Sequence, residues 1–192
     1  MNRIEEIREI VKRNDINTHP FYKAWSEGCL PMDRLQIYAR EYGNYIATIP
    51  AGWETIGETA IADEEREHHG LWLDFASSVG SAPDVSVPQI STLVGVANSL
   101  SQSTPEALGA LYAFEVQQPV TSRTKLDGLR ANYSVGEKGE KYFADHADDW
   151  SEPELLEKHM LSLSDEEFSR TKSAAAMVSA GMWLALDGVL AA

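Results

Sequence analysis

Cysteine is almost missing from this chain: Cys29 stands alone among 192 residues, which excludes an internal disulfide. Basic side chains are also scarce. Sixteen Lys and Arg face thirty Asp and Glu, giving a formal charge of -14, a field that repels phosphate backbones and anionic lipid surfaces. Nucleic acid and membrane partners are therefore not expected. No apolar run approaches the roughly twenty residues that span a bilayer, and the N-terminal MNRIEEIREIVKRN mixes charges through every turn where a signal peptide would carry an apolar core. A soluble protein of the reducing cytoplasm is the expectation. Strand alternation, internal repeats and low-complexity stretches are absent too, so the helical period is the pattern left to read.

That period runs nearly the whole chain, and 43% hydrophobic content is ordinary for a single globular domain over 1–192. Ile4, Ile7, Ile10 and Val11 form the stripe of a first helix ending near Asn14, opened by an Asn2/Glu5 capping box. Pro20 starts a short helix that Gly28 stops. From Met32, Leu35, Tyr38, Tyr42, Tyr45 and Ile46 predict a helix up to an interruption at Pro50. The period then continues through Trp53 and Ile56 to Gly80, so the acidic segment DEEREHHGLW lies on a helix. GSAPDVSVP reads as the longest loop. A helix with Ile90, Leu93 and Leu100 follows, then one capped at Thr104 that carries Glu115, kinks at Pro119 and reaches Lys125. Another starts near Val135 and carries His146, with a fresh capping box predicted at Ser151/Glu154. The last opens at Ser164/Glu167. The expected fold is an all-α bundle.

Glu115 is the most informative residue. It is a lone carboxylate among Leu111, Tyr112, Ala113, Phe114 and Val116, where desolvation of an unpaired charge calls for a cation, a proton or a metal. Pairing with Arg123 or Lys125 is the plain structural alternative. Glu64 or Glu65 can project beside His68, four or three residues on, and helical bundles assemble dimetal sites from glutamate and histidine at such spacing plus carboxylates of neighbouring helices. Taken alone, an EE and HH run describes a solvated acidic face, and His146 beside Asp145, Asp148 and Asp149 describes an exposed helix end. Three helices carrying such groups reinforce one another.

The segment HPFYKAWSEGCLPMDRLQIYAREYGNYIATIP resembles the N-terminal signature of the haem-oxygenase-like superfamily that includes TenA, PqqC and CADD-like proteins, and is most similar to the CADD-like class. DEEREHHGLW, ALYAFEVQQPVTSRTKLDGL and EKYFADH extend the likeness, in the family's order, to about His146. The resemblance implies a haem-oxygenase-like bundle of seven to eight helices with a buried central site. In the CADD-like class it further implies a non-haem dimetal centre that activates oxygen, with Glu and His on one helix, Glu on the next, and His, Asp and His on a third. By motif the implied ligands are Glu64, His68, Glu115 and His146; the Glu-to-His segment is shorter here, which leaves Glu65 as the alternative to Glu64.

The third helix departs from the pattern, because its Asp and second His fall on Trp150 and Pro153. Asp149 and Glu152 are the acids that could turn inward instead, and Asp149 is taken as the fifth ligand. The implied cofactor is iron at two sites, or iron with manganese at one, with dioxygen as co-substrate and a small organic molecule or the enzyme's own tyrosine as substrate. The tyrosine and lysine of the class's self-sacrificing synthesis of 4-aminobenzoate fall on Tyr22 and Lys125. Two alternatives stay open: a degenerate bundle kept as a ligand- or partner-binding module, and a metal-independent enzyme on a small heterocycle with Trp25, Tyr42, Tyr45 and Tyr112 in its pocket. TenA-type hydrolysis is disfavoured, since the acid before the paired tyrosines is replaced by Tyr42. Family members commonly form homodimers, for which Met177, Met182 and Trp183 offer a face; the plainer expectation is that the final helix packs on its own bundle.

Overall fold

A computed structural model describes residues 2–192, and every regular element among them is helical. The segments are α1 (Arg3–Lys12), a single 3-10 turn (Ile16–Thr18), α2 (Pro20–Ser26), α3 (Met32–Ile46), α4 (Ile49–Thr55), α5 (Thr59–Ser78), α6 (Pro88–Leu100), α7 (Thr104–Glu115), α8 (Gln118–Asn132), α9 (Gly136–His146), α10 (Ser151–Leu161) and α11 (Asp165–Ala191). Three of the expected helices arrive as pairs of pieces: α4 with α5, α7 with α8, and α9 with α10. Counting each pair once gives eight, within the seven to eight helices that the resemblance implies.

The breaks follow local chemistry. Both predicted capping boxes at the chain's ends form, at Asn2/Glu5 and Ser164/Glu167. The one expected at Ser151/Glu154 does not: Trp150 holds the cap position and the Asp149 carboxylate accepts from the Ser151 N–H at 2.9 Å instead. Helix α4 opens around Pro50, whose missing amide is harmless in a first turn. The period from Trp53 to Gly80 is not continuous either, because Gly57 adopts φ 89° and ends α4 before α5 begins. Ser103, one residue earlier than expected, takes the cap position of α7.

Helix α11 runs the length of the molecule against α7 and α6, and α5 packs on α9, α4 and α3. The contact of α7 with α11 is close enough to require a glycine, since a Cβ on Gly109 would lie 2.0 Å from the Thr171 carbonyl oxygen. By length and composition α11 alone among the described helices could cross a bilayer, which amends the expectation that no run is long enough; half of its apolar window is buried inside the bundle. Met182 is buried there and Trp183 packs edge-on against His19 with ring centroids 4.5 Å apart, leaving Met177 as the exposed member of that trio. The core is strongly aromatic: Trp25, Trp53 and Trp72 are fully buried with Tyr22, Tyr38, Tyr42, Tyr45, Phe75, Tyr142 and Phe143.

Candidate metal centre

Helix geometry decides between the two candidate glutamates on α5. Successive residues turn by about 100°, so only one of Glu64 and Glu65 can face the core. Glu65 does, at 1% exposure, while the Glu64 side chain is 62% exposed and reaches His68 Nε2 only at 3.9 Å. Three residues on, the His68 Nδ1–H donates to Glu65 Oε1 at 2.9 Å. The end of α9 brings His146 to the same point, with Nε2 3.8 Å from Glu65 Oε1 and its ring centroid 4.4 Å from that of His68. One ligand atom from each of Glu65, His68 and His146 lies within 4.8 Å of the others, the geometry of a candidate metal site.

Hydrogen-bond accounting fixes the tautomers. The Tyr142 carbonyl, 2.7 Å from His146 Nδ1, can only accept, so Nδ1 carries a proton and the tautomer of the neutral ring is the one with its lone pair at Nε2. That Nε2 is buried with no partner, and so are Glu65 Oε2 and Glu115 Oε1. His68, whose Nδ1–H donates to Glu65, likewise has its lone pair at Nε2 in the neutral ring. Buried polar atoms are normally satisfied. Imidazole lone pairs and carboxylate oxygens left bare around one point are a donor set suited to iron or manganese, so the residues present fit such an ion.

The electrostatics agree with a site short of positive charge. Burial pushes the Glu115 carboxyl well above the ordinary range, and the charges of Glu152 and Glu65 push it further. Glu152 is raised by burial and by Glu65, and it sits within hydrogen-bonding reach of Glu115, which retains the proton between them. Glu65 moves the other way: burial opposes its charge, but the His146 ring 3.8 Å away and the hydrogen bond from His68 outweigh it. Burial likewise opposes protonation of His68, and the Glu65 contact raises it nonetheless. The Trp53 indole N–H faces Glu115 without reaching hydrogen-bond geometry. Neither base offered as a partner for Glu115 serves it: Arg123 pairs with Asp148 and Lys125 lies among aromatic rings.

A cavity of about 380 Å³ opens from this cluster to the surface between α5, α9 and α10, with His68, His146 and Glu152 at its floor side and Glu64, Asp145 and Asp149 among its lining. Asp149 lies at this mouth, and its Oδ1 is committed to the Ser151 N–H and Oγ, at 2.9 and 2.7 Å. Its carboxyl is held low by those two bonds. Trp150 is 42% exposed and Pro153 is buried in the first turn of α10, so neither presents a donor to the cluster.

Tyr22 and Lys125 meet in a second buried region, the aromatic core between α2, α3 and α8. Lys125 Nζ sits 4.7 Å over the Tyr22 ring and 5.7 Å over that of Tyr38, and the Tyr22 and Tyr38 hydroxyls are 2.9 Å apart. Burial alone lowers the lysine pKa to about 7 and raises that of Tyr22. Aromatic contacts join this region to the metal cluster: Tyr142 lies 4.3 Å from His146 and 5.0 Å from Trp72, and Trp72 lies 5.5 Å from Tyr38, all between ring centroids. Trp72 and Tyr142 were not distinguishable in sequence from ordinary core aromatics. Tyr112, expected in a pocket, is engaged elsewhere, donating to Glu157 at 2.7 Å.

No protein-family model matches the chain. Curated relatives include the 4-aminobenzoate synthase of Nitrosomonas europaea, 26% identical over 96% of this chain and 89% of that one, and the 4-aminobenzoate synthase of Chlamydia pneumoniae, 29% identical over 82% and 80%. Solved structures of the same fold include a TenA homologue from Pseudomonas syringae, with TM-score 0.80 and 14% identity over 98% of this chain and 92% of that one. A domain with a haem-oxygenase-like fold from Shewanella denitrificans superposes with TM-score 0.77 and 17% identity, covering 97% and 90%, and a CADD-like protein from Nostoc punctiforme with 0.58 and 16%, covering 98% and 99%. The fold is haem-oxygenase-like, and the chain is similar over most of its length to 4-aminobenzoate synthases.

Proposed function

We propose that this chain is a non-haem, metal-dependent, oxygen-using oxidoreductase of the 4-aminobenzoate synthase type, in which Glu65, His68, Glu115 and His146 hold the metal and Tyr22 and Lys125 are the reacting side chains. One observation carries the reading: Glu65, His68 and His146 bring ligand atoms within 4.8 Å of one another, with Glu65 Oε2, Glu115 Oε1 and His146 Nε2 buried and bare, and aromatic contacts connect His146 to a lysine held over a tyrosine ring. Two irons bound there, or iron with manganese, would supply the activation of dioxygen.

The chain's own residues supply the rest. 4-Aminobenzoate is a benzene ring with nitrogen and a carboxyl carbon para to each other. Tyr22 already holds its Cβ and its hydroxyl oxygen para to each other on one ring, and Lys125 Nζ lies 4.7 Å from the centroid of that ring. Burial keeps an appreciable share of that amine neutral near pH 7, which leaves its lone pair available. Tyr38 holds the Tyr22 hydroxyl at 2.9 Å and can exchange its proton, and the fully buried setting excludes water from reactive species.

The test is to incubate the protein with ferrous iron, dioxygen and a reductant, then follow intact-chain mass and released 4-aminobenzoate. We expect a mass loss mapping to Tyr22 and, from protein carrying ¹⁵N-lysine, ¹⁵N in the product. An unchanged chain with no product rejects the self-sacrificing reading. Absence of donors at Trp150 and Pro153 favours one second reading, a bundle kept for binding alone, which predicts no metal uptake at all.

A further inference from the structure

We infer that Glu152, in the first turn of α10, is a further metal ligand that joins Glu65, His68, Glu115 and His146 in place of the donors missing at Trp150 and Pro153; this rests on the metal-dependent reading above. The backbone explains how it gets there. Helix α9 stops at His146, the chain turns through Asp148 at φ 63°, and α10 restarts at Ser151 with the Asp149 carboxylate holding its first amide. A continuous helix would have set positions 150 and 153 beside His146, one turn and two turns on. The restart instead puts Trp150 outward, seats Pro153 in the core and turns Glu152 into the wall of the cavity that His68 and His146 also line.

An acid in the first turn of a helix is commonplace and commonly solvated, as a complement to the helix dipole. Glu152 differs in its company. Its hydrogen-bonding neighbour is not an amide or a base but another acid, Glu115, and Glu65 is the third carboxyl of the group. The bases that might neutralise them are committed elsewhere: Arg8 to Glu157, Arg123 to Asp148, and Lys125 to its aromatic surroundings. Glu115 Oε1, Glu65 Oε2 and His146 Nε2 remain bare and buried beside it. Three carboxylates and two neutral imidazoles make a donor set whose charge two divalent cations balance to within one unit; without Glu152 the same pair of cations would leave two uncompensated positive charges.

The experiment is anaerobic titration of the full chain with ferrous iron, read as bound metal per chain and as dissociation constant, for wild type, Glu152→Gln, Glu152→Ala and His146→Ala. We expect wild type to bind two ions, and both Glu152 variants to lose one or to bind it at least ten-fold more weakly while keeping the other. Should wild type bind a single ion, the same ten-fold weakening in both variants carries the inference. Unchanged stoichiometry and affinity in the Glu152 variants, with His146→Ala defective, overturns the role of Glu152 and leaves the metal enzyme standing. Loss in Glu152→Ala but full binding in Glu152→Gln also overturns it, by assigning the residue a space-filling role. No binding by wild type removes both proposals together.

Discussion

Two buried imidazoles, His19 at the start of α2 and His146 at the end of α9, are treated in opposite ways by the same bundle. His19 is completely enclosed and completely satisfied: Nδ1 accepts the Phe21 N–H at 3.0 Å and Nε2 donates to Asp187 at 3.1 Å. Burial lowers its pKa against the pull of Asp187. Gln117 is satisfied in the same way, accepting from the Ile16 N–H at 3.0 Å and donating to the Ala113 carbonyl at 2.8 Å. Around His146 the ring nitrogen, two carboxylate oxygens and the Trp53 indole N–H are all left without partners. Among the described residues two other buried orphans occur, at Asn17 and Ser122, and neither belongs to the Glu65, His68 and His146 cluster. Each costs about 1–3 kcal/mol to leave bare. A structural histidine ends its account with the fold, whereas the cluster around His146 has capacity that the fold does not use.

The sharpest way to break this contrast is to delete the open imidazole. His146→Ala should weaken metal binding by at least roughly 100-fold, since even outer-shell partners of a metal commonly account for about 10–100-fold. Product should fall below detection, while the metal-free protein loses little stability. Bound metal by elemental analysis, set beside urea denaturation, reads both quantities. Retention of metal in this variant would erase the distinction between the two histidines.

Next in size is Lys125, a buried charge with no ion-pair partner. Its pKa is about 7 in the fold against 10.5 for an ordinary lysine, so between those limits the unfolded chain binds the extra proton. Folding stability from this group is therefore lowest at and below pH 7, rises with pH through the window, and is fully recovered near pH 10.5. Lys125→Met should remove that burden, stabilising the protein by on the order of 4 kcal/mol at pH 7, with the advantage shrinking toward pH 10, and it should abolish product. Denaturation curves at several pH values check the slope. A variant no more stable than wild type at pH 7 would mean that the amine is solvated in solution.

His19→Ala is the counterpart on the closed side. It removes a helix cap, a hydrogen bond to Asp187 and the edge contact with Trp183, which together should cost about 2–4 kcal/mol. Metal stoichiometry should be unchanged, read on the folded fraction below the transition. Loss of metal in that fraction would show the two regions to be coupled.

These regions were unequally legible in the sequence. The helices were readable because period, prolines and caps act locally: Pro20 and the Asn2/Glu5 and Ser164/Glu167 boxes sit where the elements start. The break at Gly57 was not, since a single glycine inside an apolar period carries no sign of its φ. Glu115 was legible as an acid among apolar neighbours, and it is buried. Glu65 and Glu64 could not be separated, because one residue of helical phase decides which is buried and the segment's other charges fit either choice. The restart of α10 depends on an Asp149 cap that competes with an equally plausible Ser151 box, and that competition decides whether Asp149 or Glu152 turns inward. His19 gave no hint of burial, as its partner Asp187 lies at the far end of the chain.

The smallest expected effect concerns the mouth of the cavity, where Glu64 separates a rim charge from a ligand. Its carboxylate is exposed and 3.9 Å from His68 Nε2, a separation at which solvent screens most of the interaction and an exposed pair is worth about 0–1 kcal/mol. Glu64→Gln should therefore change the metal dissociation constant by less than about five-fold at moderate salt, since 1.4 kcal/mol is tenfold. What it should change is the rate of entry. Glu64, Asp145 and Asp149 all line the opening, and acids at a mouth raise the local concentration of a divalent cation in a manner that salt suppresses. Stopped-flow uptake of ferrous iron should be slower for Glu64→Gln at low ionic strength and indistinguishable from wild type once the Debye length falls to about 3 Å near 1 M salt. Glu65→Gln should show the reverse, with normal entry kinetics and loss of retention. If instead Glu64→Gln loses the ion at every ionic strength while Glu65→Gln keeps it, the metal is held by a rotated α5, and the burial of Glu65 belongs to the metal-free protein alone.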